Sequence, residues 1–261
     1  MFPLVSLRKT SLVDYPGRIS AAIFLPGCNL RCPWCQNREL VLPGADRTGN
    51  FIPLDEALAL IRRRKKVLGG VVVSGGEPAL YPALGDLAGE IHGIGLPVKL
   101  DTNGLFPQII RELFKKTATR PDYIAMDLKL APGRYGELLP GGIPGDPALD
   151  PAAALAESAA LLRGSGLEYE FRSLALPGGR FGPGDVKALA PLAGGGPWRF
   201  RPFAPGNCLD PAWNSFPATG ERETAPLEET AKLLAAKPGD GGAEPALNRA
   251  GAPMGIRPPF E

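Results

Sequence analysis

Six short apolar runs, most of them separated by a helical pattern, constrain the fold of this chain more than any other feature. "ISAAIFL" (19–25), "GVVVSGG" (70–76), "VKLDTNG" (98–104), "YIAMDLK" (123–129), "EYEFRSLAL" (168–176) and "WRFRPF" (198–203) each read as a strand. Between them, apolar residues recur at helical spacing: Leu54, Leu58 and Ile61; Leu84, Leu87, Ile91 and Ile94; Ile109, Ile110, Leu113 and Phe114; Leu155, Ala159 and Leu162. A short helix is expected at 185–192, and Leu227, Ala231 and Leu234 mark a last one. Asp150 and Pro151 form an N-cap and first-turn pair. Strands alternating with helices predict repeated βα units, and so an α/β fold with parallel strands. No repeat and no linker divides it.

In such folds the chemistry collects at the carboxyl ends of the strands. Here the first four strands end in "PGCNLRC", "SGGEP", "DTNG" and "DLK", which places special residues where that rule puts a site. Cys28, Cys32 and Cys35 lie within eight residues on one loop. Clustered thiols in a reducing compartment point to metal ligation or catalysis rather than disulfides. Two ligation patterns are open. A zinc site would take Cys208 as a fourth ligand, although that cysteine has no partner nearby. A four-iron cluster on three thiolates leaves one iron open, which is the arrangement of a catalytic centre.

Other features narrow the function class. The net charge is +2, too mild to argue for nucleic acid or an anionic membrane. The amino terminus lacks the apolar core of a signal peptide, and no stretch approaches the ~20 apolar residues of a membrane span, so the expected location is cytoplasmic. With 34 Gly and 30 Pro, about a quarter of the chain is loop-forming. The expected organisation is one domain over 1–237 and an extended or disordered Gly/Pro-rich tail over 238–261. The run "RRRKK" (62–66) reads first as a solvated helix face and second as a docking patch for an electron donor. His92 reads as a helix-surface residue and Cys208 as a free thiol. The Gly/Pro-rich stretch 131–151 reads either as a mobile lid or docking loop or as a plain connection.

"CNLRCPWC" resembles the C-x3-C-x2-C motif of the radical S-adenosylmethionine (SAM) enzymes, with aromatic Trp34 before the third cysteine. Over roughly residues 4–210, "SLVDYPGRISAAIFLPGCNLRCPWCQNRELV", "VVVSGGEPAL", "VKLDTNG", "YIAMDLK" and "YEFRSLALP" are similar, in order, to the activating proteins of anaerobic ribonucleoside-triphosphate reductases and to pyruvate formate-lyase activating enzymes. The resemblance implies a partial (β/α)6 barrel with a [4Fe–4S] cluster at its mouth and SAM as the fourth iron ligand. It implies reductive cleavage of SAM to a 5′-deoxyadenosyl radical and formation of a glycyl radical on a partner enzyme, with a flavodoxin or ferredoxin-like electron donor.

Carried over position by position, Cys28, Cys32 and Cys35 hold the cluster, and Trp34 sets its backbone near the adenine. Gly75, Gly76 and Glu77 meet the methionyl amino group. Asp101, Thr102 and Asn103 line the site, Lys129 of the Asp127-x-Lys129 motif contacts the SAM carboxylate, and Arg172 reaches the ribose or carboxylate. Asp101, Thr102 and Asp127 are also implied to hold a monovalent cation. The chain departs from the family pattern at Gln36, where relatives often carry histidine, and it has no second cysteine cluster. Radical chemistry on another glycyl-radical enzyme or on a small molecule, RNA or peptide, and a non-catalytic zinc-binding interaction protein, are the competing functions.

Overall fold

A computed structural model describes residues 4–41, 51–139 and 150–236. The tail expected over 238–261 lies outside these residues. Along the chain run β1 (Val5–Ser11), β2 (Ser20–Leu25), α1 (Arg38–Val41), β3 (Phe51–Ile52), α2 (Leu54–Arg64), β4 (Gly70–Gly75), α3 (Leu84–Ile94), β5 (Val98–Thr102), α4 (Pro107–Phe114), β6 (Tyr123–Asp127), α5 (Pro151–Gly164), β7 (Glu168–Ala175), α6 (Pro183–Ala193), β8 (Trp198–Pro202) and α7 (Glu221–Ala235). One eight-stranded sheet has the order β3-β1-β2-β4-β5-β6-β7-β8. Its six strands from β2 to β8 are all parallel. These are the six strands expected from the sequence, and the six-fold βα succession agrees with a partial barrel.

Strand alternation decides what each face carries. Ile23, Val71, Val73, Leu100, Ile124, Met126 and Phe171 are buried in one large apolar core that also takes the inner sides of the helices, including Leu58, Leu87, Ile91, Ile110, Leu155 and Leu162. The alternate residues Lys99, Asp101, Asp127, Glu170 and Arg172 are polar or charged, and several of them form the wall of the site. Asp150 caps α5 as expected, its Oδ1 accepting from the Ala152 N–H (2.9 Å).

The sequence reading missed three elements, the one-turn helix α1 and two strands. β1 pairs antiparallel with β2, and the two-residue β3 pairs antiparallel with β1. β1 reads "VSLRKTS" with only its ends buried, so it carries no sustained apolar signal. Its exposed Arg8 and Lys9 are the kind of residue that keeps an outer strand from pairing with another chain.

One loop expectation changes, and the basic run takes the first of its two readings, a solvated helix face. In 131–151, residues Pro132–Leu138 form a packed 3-10 turn with Tyr135 and Leu138 buried, so this part is no mobile lid. The Arg31 N–H donates to the Leu138 carbonyl (2.8 Å), which fastens the turn to the cysteine loop; residues 140–149 lie outside the described set. The basic run falls in and just after the last turn of α2, near the amino end of β4, where Arg64 bonds the Lys9 carbonyl and Thr10. The cysteine loop leaves the opposite, carboxyl end of β2. A six-residue strand spans about 20 Å, so the run is poorly placed to pass electrons to that loop.

Candidate functional site

The carboxyl ends of the parallel strands open onto a cavity of about 460 Å³. Each of the thirteen residues singled out from the sequence lines it: Cys28, Cys32, Trp34, Cys35, Gly75, Gly76, Glu77, Asp101, Thr102, Asn103, Asp127, Lys129 and Arg172. They come from five strands and the loops that follow them. Cys208 is buried but does not line the cavity. Among the described residues, no three His, Cys, Asp or Glu side chains converge tightly enough to hold a single metal ion. The three thiols border a space rather than a point, unlike the four convergent ligands of a structural zinc site.

The first wall is built from close backbone contacts and hydrogen bonds to one buried carboxyl group. β4 runs so close to the β2 exit that a Cβ on Gly76 would lie 1.9 Å from the Gly27 carbonyl oxygen, and one on Gly75 would lie 2.2 Å from that of Leu25. Gly75 also has φ +131°, which favours glycine. Glu77 is buried beneath them. Its Oε1 accepts from the Ala79 N–H (2.9 Å) and the Thr102 hydroxyl (2.7 Å), and its Oε2 accepts from the Asn103 N–H (2.7 Å). Burial pushes its carboxyl up to about 7, against the pull of these donors. Glu77 thus braces the glycine turn against the end of β5. The Asn103 side chain donates to Asn29 Oδ1 (2.7 Å), and Asn37 Nδ2 donates to the Gly75 carbonyl (3.2 Å).

The second wall is a chain of ion pairs. Lys99 pairs with Asp101, Arg172 reaches Asp101 (3.3 Å) and Asp127 (2.9 Å), and Lys129 reaches Asp127 (3.1 Å). Burial alone would raise the Asp127 carboxyl, but Arg172 and Lys129 outweigh it and hold it at about 2. Burial would lower Lys129, but Asp127 and the nearby cysteines keep it firmly protonated. The carboxylates that the resemblance assigns to a monovalent cation are therefore each bridged by two cations of the chain itself. Thr102 Oγ1 is committed to Glu77 and to the Gly104 N–H (3.2 Å).

The donor set fits a thiolate-bound iron–sulfur cluster. Burial pushes the Cys28 thiol up to about 11 and the Cys32 thiol up to about 12, and raises Cys35 as well. Lys129 pulls all three down. Such thiols ionise fully only when a cationic group enters between them. Asn29 Nδ2 is buried next to Cys28 and has no hydrogen-bond partner among the described residues; a spare N–H donor suits the anionic sulfurs of a cluster.

Several lining residues carry no motif of their own, among them Leu30, Val41, Leu174, Arg201 and Phe203. Asn29 and Asn37 stand inside the cysteine segment, where the resemblance implies no role for them. Tyr135 is buried, and its hydroxyl oxygen accepts from the Lys129 N–H (3.2 Å). It lies in a Gly/Pro-rich stretch that reads as loop, so nothing local marks it.

Comparison with known proteins bears on the family and the fold. The Radical SAM superfamily profile matches residues 22–173. A candidate glycyl-radical enzyme activating enzyme of Methanocaldococcus jannaschii is 38% identical over 133 residues, 49% of this chain and 51% of that protein. A 7-carboxy-7-deazaguanine synthase of Hyperthermus butylicus is 36% identical over 100 residues, 38% of this chain and 40% of that protein. The chain thus spans about half the length, or less, of the curated relatives it matches. A radical SAM methyltransferase from Sphaerobacter thermophilus shares the fold with a TM-score of 0.59 at 18% identity, covering 84% of this chain and 65% of the other.

Proposed function

This chain belongs to the Radical SAM superfamily, and from that premise we propose that it is an activating enzyme that generates a glycyl radical on a partner, an anaerobic ribonucleoside-triphosphate reductase. One observation supports the site assignment above all: thirteen motif residues, distant in sequence, line a single cavity at the carboxyl ends of the strands. Similarity to a candidate glycyl-radical enzyme activating enzyme supports the reaction class.

Cys28, Cys32 and Cys35 would hold a [4Fe–4S] cluster, which with SAM bound would supply one-electron reductive cleavage of SAM and so the radical chemistry that removes a hydrogen atom from a glycine Cα. The protein's part is to bind, orient and exclude water. Lys129 stands as a positive charge beside the thiols and would face the SAM carboxylate. Gly75 and Gly76 would leave room for the methionyl end, and the Trp34 backbone would lie near the adenine. Arg172 links Asp101 and Asp127 into one continuous wall. Leu30, Val41, Leu174 and Phe203 add the apolar lining that a reactive radical needs. The electron comes from a flavodoxin or ferredoxin-like donor, and the site of action is the cytoplasm; among the described residues no helix is long and apolar enough to cross a membrane.

The test is electron paramagnetic resonance (EPR) after anaerobic incubation of the reconstituted protein, reductant and SAM with a candidate reductase. A glycyl radical doublet on the reductase is expected. Persistent absence of the doublet, with SAM still cleaved, would reject the partner.

A second reading applies the same radical chemistry to an anionic small molecule. It is favoured by Arg201, which lines the cavity and, unlike Lys129 and Arg172, has no carboxylate partner among the described residues. Similarity to a 7-carboxy-7-deazaguanine synthase points the same way. A glycyl radical on the reductase would retire this reading.

A further inference from the structure

The loop that follows β8 is stitched to the cysteine loop. The Leu209 N–H donates to the Cys35 carbonyl (2.8 Å), and the Asp210 N–H donates to the Pro33 carbonyl (3.0 Å). Asn207 Nδ2 donates to the Gln36 carbonyl (3.3 Å), and Gln36 Nε2 donates in return to the Ala204 carbonyl. Four bonds thus cross between segments some 170 residues apart. Beside them the Trp34 and Trp213 rings stand 5.2 Å apart, and Trp213 also packs on Phe203 and Phe216.

This arrangement requires a sharp bend. Gly206 has φ +130° and Asn207 has φ +54°, two successive residues outside the ordinary backbone regions. Asn214 holds the bend from inside: its Oδ1 accepts from both the Gly206 N–H (3.2 Å) and the Cys208 N–H (3.0 Å). The ends of the loop are clasped as well. The Thr219 N–H donates to the Phe203 carbonyl (2.9 Å), and the Phe203 N–H donates to Thr219 Oγ1 (2.7 Å). A loop closed at its neck and filled by its own side chains is a compact Ω-type element, a form that is frequently functional.

We propose that Asn214 and Gln36 are positioning residues for the iron–sulfur site: through the loop at 203–216 they fix the Cys32–Cys35 turn and the Trp34 ring against it. The cysteine loop already closes internally, with the Cys35 N–H donating to the Cys32 carbonyl (2.9 Å). Its outward carbonyls at Pro33, Cys35 and Gln36 have their donors on the latch. Without the latch, those carbonyls turn to water and the spacing of the second and third thiols relaxes. Gln36, which stands where relatives often carry histidine, is given a structural partner at Ala204. The matched family region ends at residue 173, so the latch is supplied by a part of the chain beyond it. The proposal rests on the reading that the three cysteines hold a cluster, but not on which substrate follows.

The test compares Asn214→Ala, Asn214→Asp and Gln36→Ala with the wild-type protein after anaerobic reconstitution. Iron release to an iron(II) chelator is timed, and the EPR spectrum of the dithionite-reduced protein is recorded with and without SAM. Asp keeps both acceptor contacts, whereas Ala removes them. Asn214→Ala should release iron about 10-fold faster, the lower end of the usual effect of supporting residues at metal sites. Asn214→Asp should recover most of the wild-type rate, and Gln36→Ala should lie between. The spectral change on adding SAM should be altered in Asn214→Ala and Gln36→Ala. Wild-type release rates and spectra in both alanine variants would overturn the proposal. Should Asn214→Ala fail to fold, Gln36→Ala decides alone by the same criterion. A protein that binds no iron in any form would instead overturn the cluster reading itself.

Discussion

The two walls of the cavity hold their shape by different physics. The wall from β2 to the end of β5 is almost uncharged at its surface. Glycines let two backbones touch, and one buried carboxylate, Glu77, collects three donors. The wall from β5 to β7 alternates lysine, aspartate and arginine, each satisfied by the next. The first fixes positions through close contact, where nothing larger fits. The second fixes a field, and its side chains can shift slightly without losing their partners. Damage to the first wall should therefore appear as lost fold and lost cluster, and damage to the second as altered ligand affinity.

The largest expected effect tests the first wall. Gly76→Ala would drive a Cβ into backbone, with no flexible side chain to give way. We expect a loss of about 3 kcal/mol or more, read by anaerobic denaturant unfolding; a loss below about 1 kcal/mol would mean that the two strand exits are not rigidly apposed. Glu77→Ala comes next, leaving buried N–H donors without an acceptor at about 2 kcal/mol. Arg172→Gln should cost less, about 1–2 kcal/mol, because Lys99 and Lys129 still serve the two aspartates. That variant should weaken SAM binding more than it weakens the fold, a split that calorimetric titration beside unfolding would reveal.

The walls should also answer pH in opposite directions. Glu77 titrates at about 7 in the folded protein, against 4.5 for the free group. The native state therefore holds this proton more tightly, and the Glu77 contribution to stability declines as pH rises from about 4.5 to 7. Asp127 titrates at about 2 against 3.8. Its contribution is complete above about pH 4 and is lost as pH falls toward 2. Subtracting the profile of Glu77→Gln, and separately that of Asp127→Asn, from the wild-type profile should give slopes of opposite sign. Equal signs would remove the contrast between the walls. The smallest effect is expected far from both: Arg62→Gln with Lys66→Gln should change stability by less than about 0.5 kcal/mol and leave reduction by the electron donor unchanged.

The sequence makes the first wall legible because its parts are local. "SGGEP" and "DTNG" each place a turn and its polar residues in a few consecutive positions, and a β-branched run announces the strand before them. The parallel strands and the main helices follow from the same periodicity. The charged wall is legible only in pieces: Asp127 and Lys129 come as a motif, but nothing in the sequence says that Arg172 bridges Asp127 to Asp101. The latch is hardest to read. Asn214 stands in a stretch without period, and its purpose depends on partners near residue 36. Tyr135 was hidden for the same reason, as was β1, whose pairing depends on β2 more than on its own pattern.

The central claim is that the cavity holds a cluster on three cysteines and uses it to cleave SAM. The most direct measurement is mass-spectrometric detection of 5′-deoxyadenosine after anaerobic reconstitution with iron and sulfide, reduction and addition of SAM, with Cys32→Ala prepared alongside. The account predicts 5′-deoxyadenosine from the wild-type protein and none from Cys32→Ala. A wild-type protein that carries a full cluster, has its candidate partner present, and still forms no 5′-deoxyadenosine would contradict it.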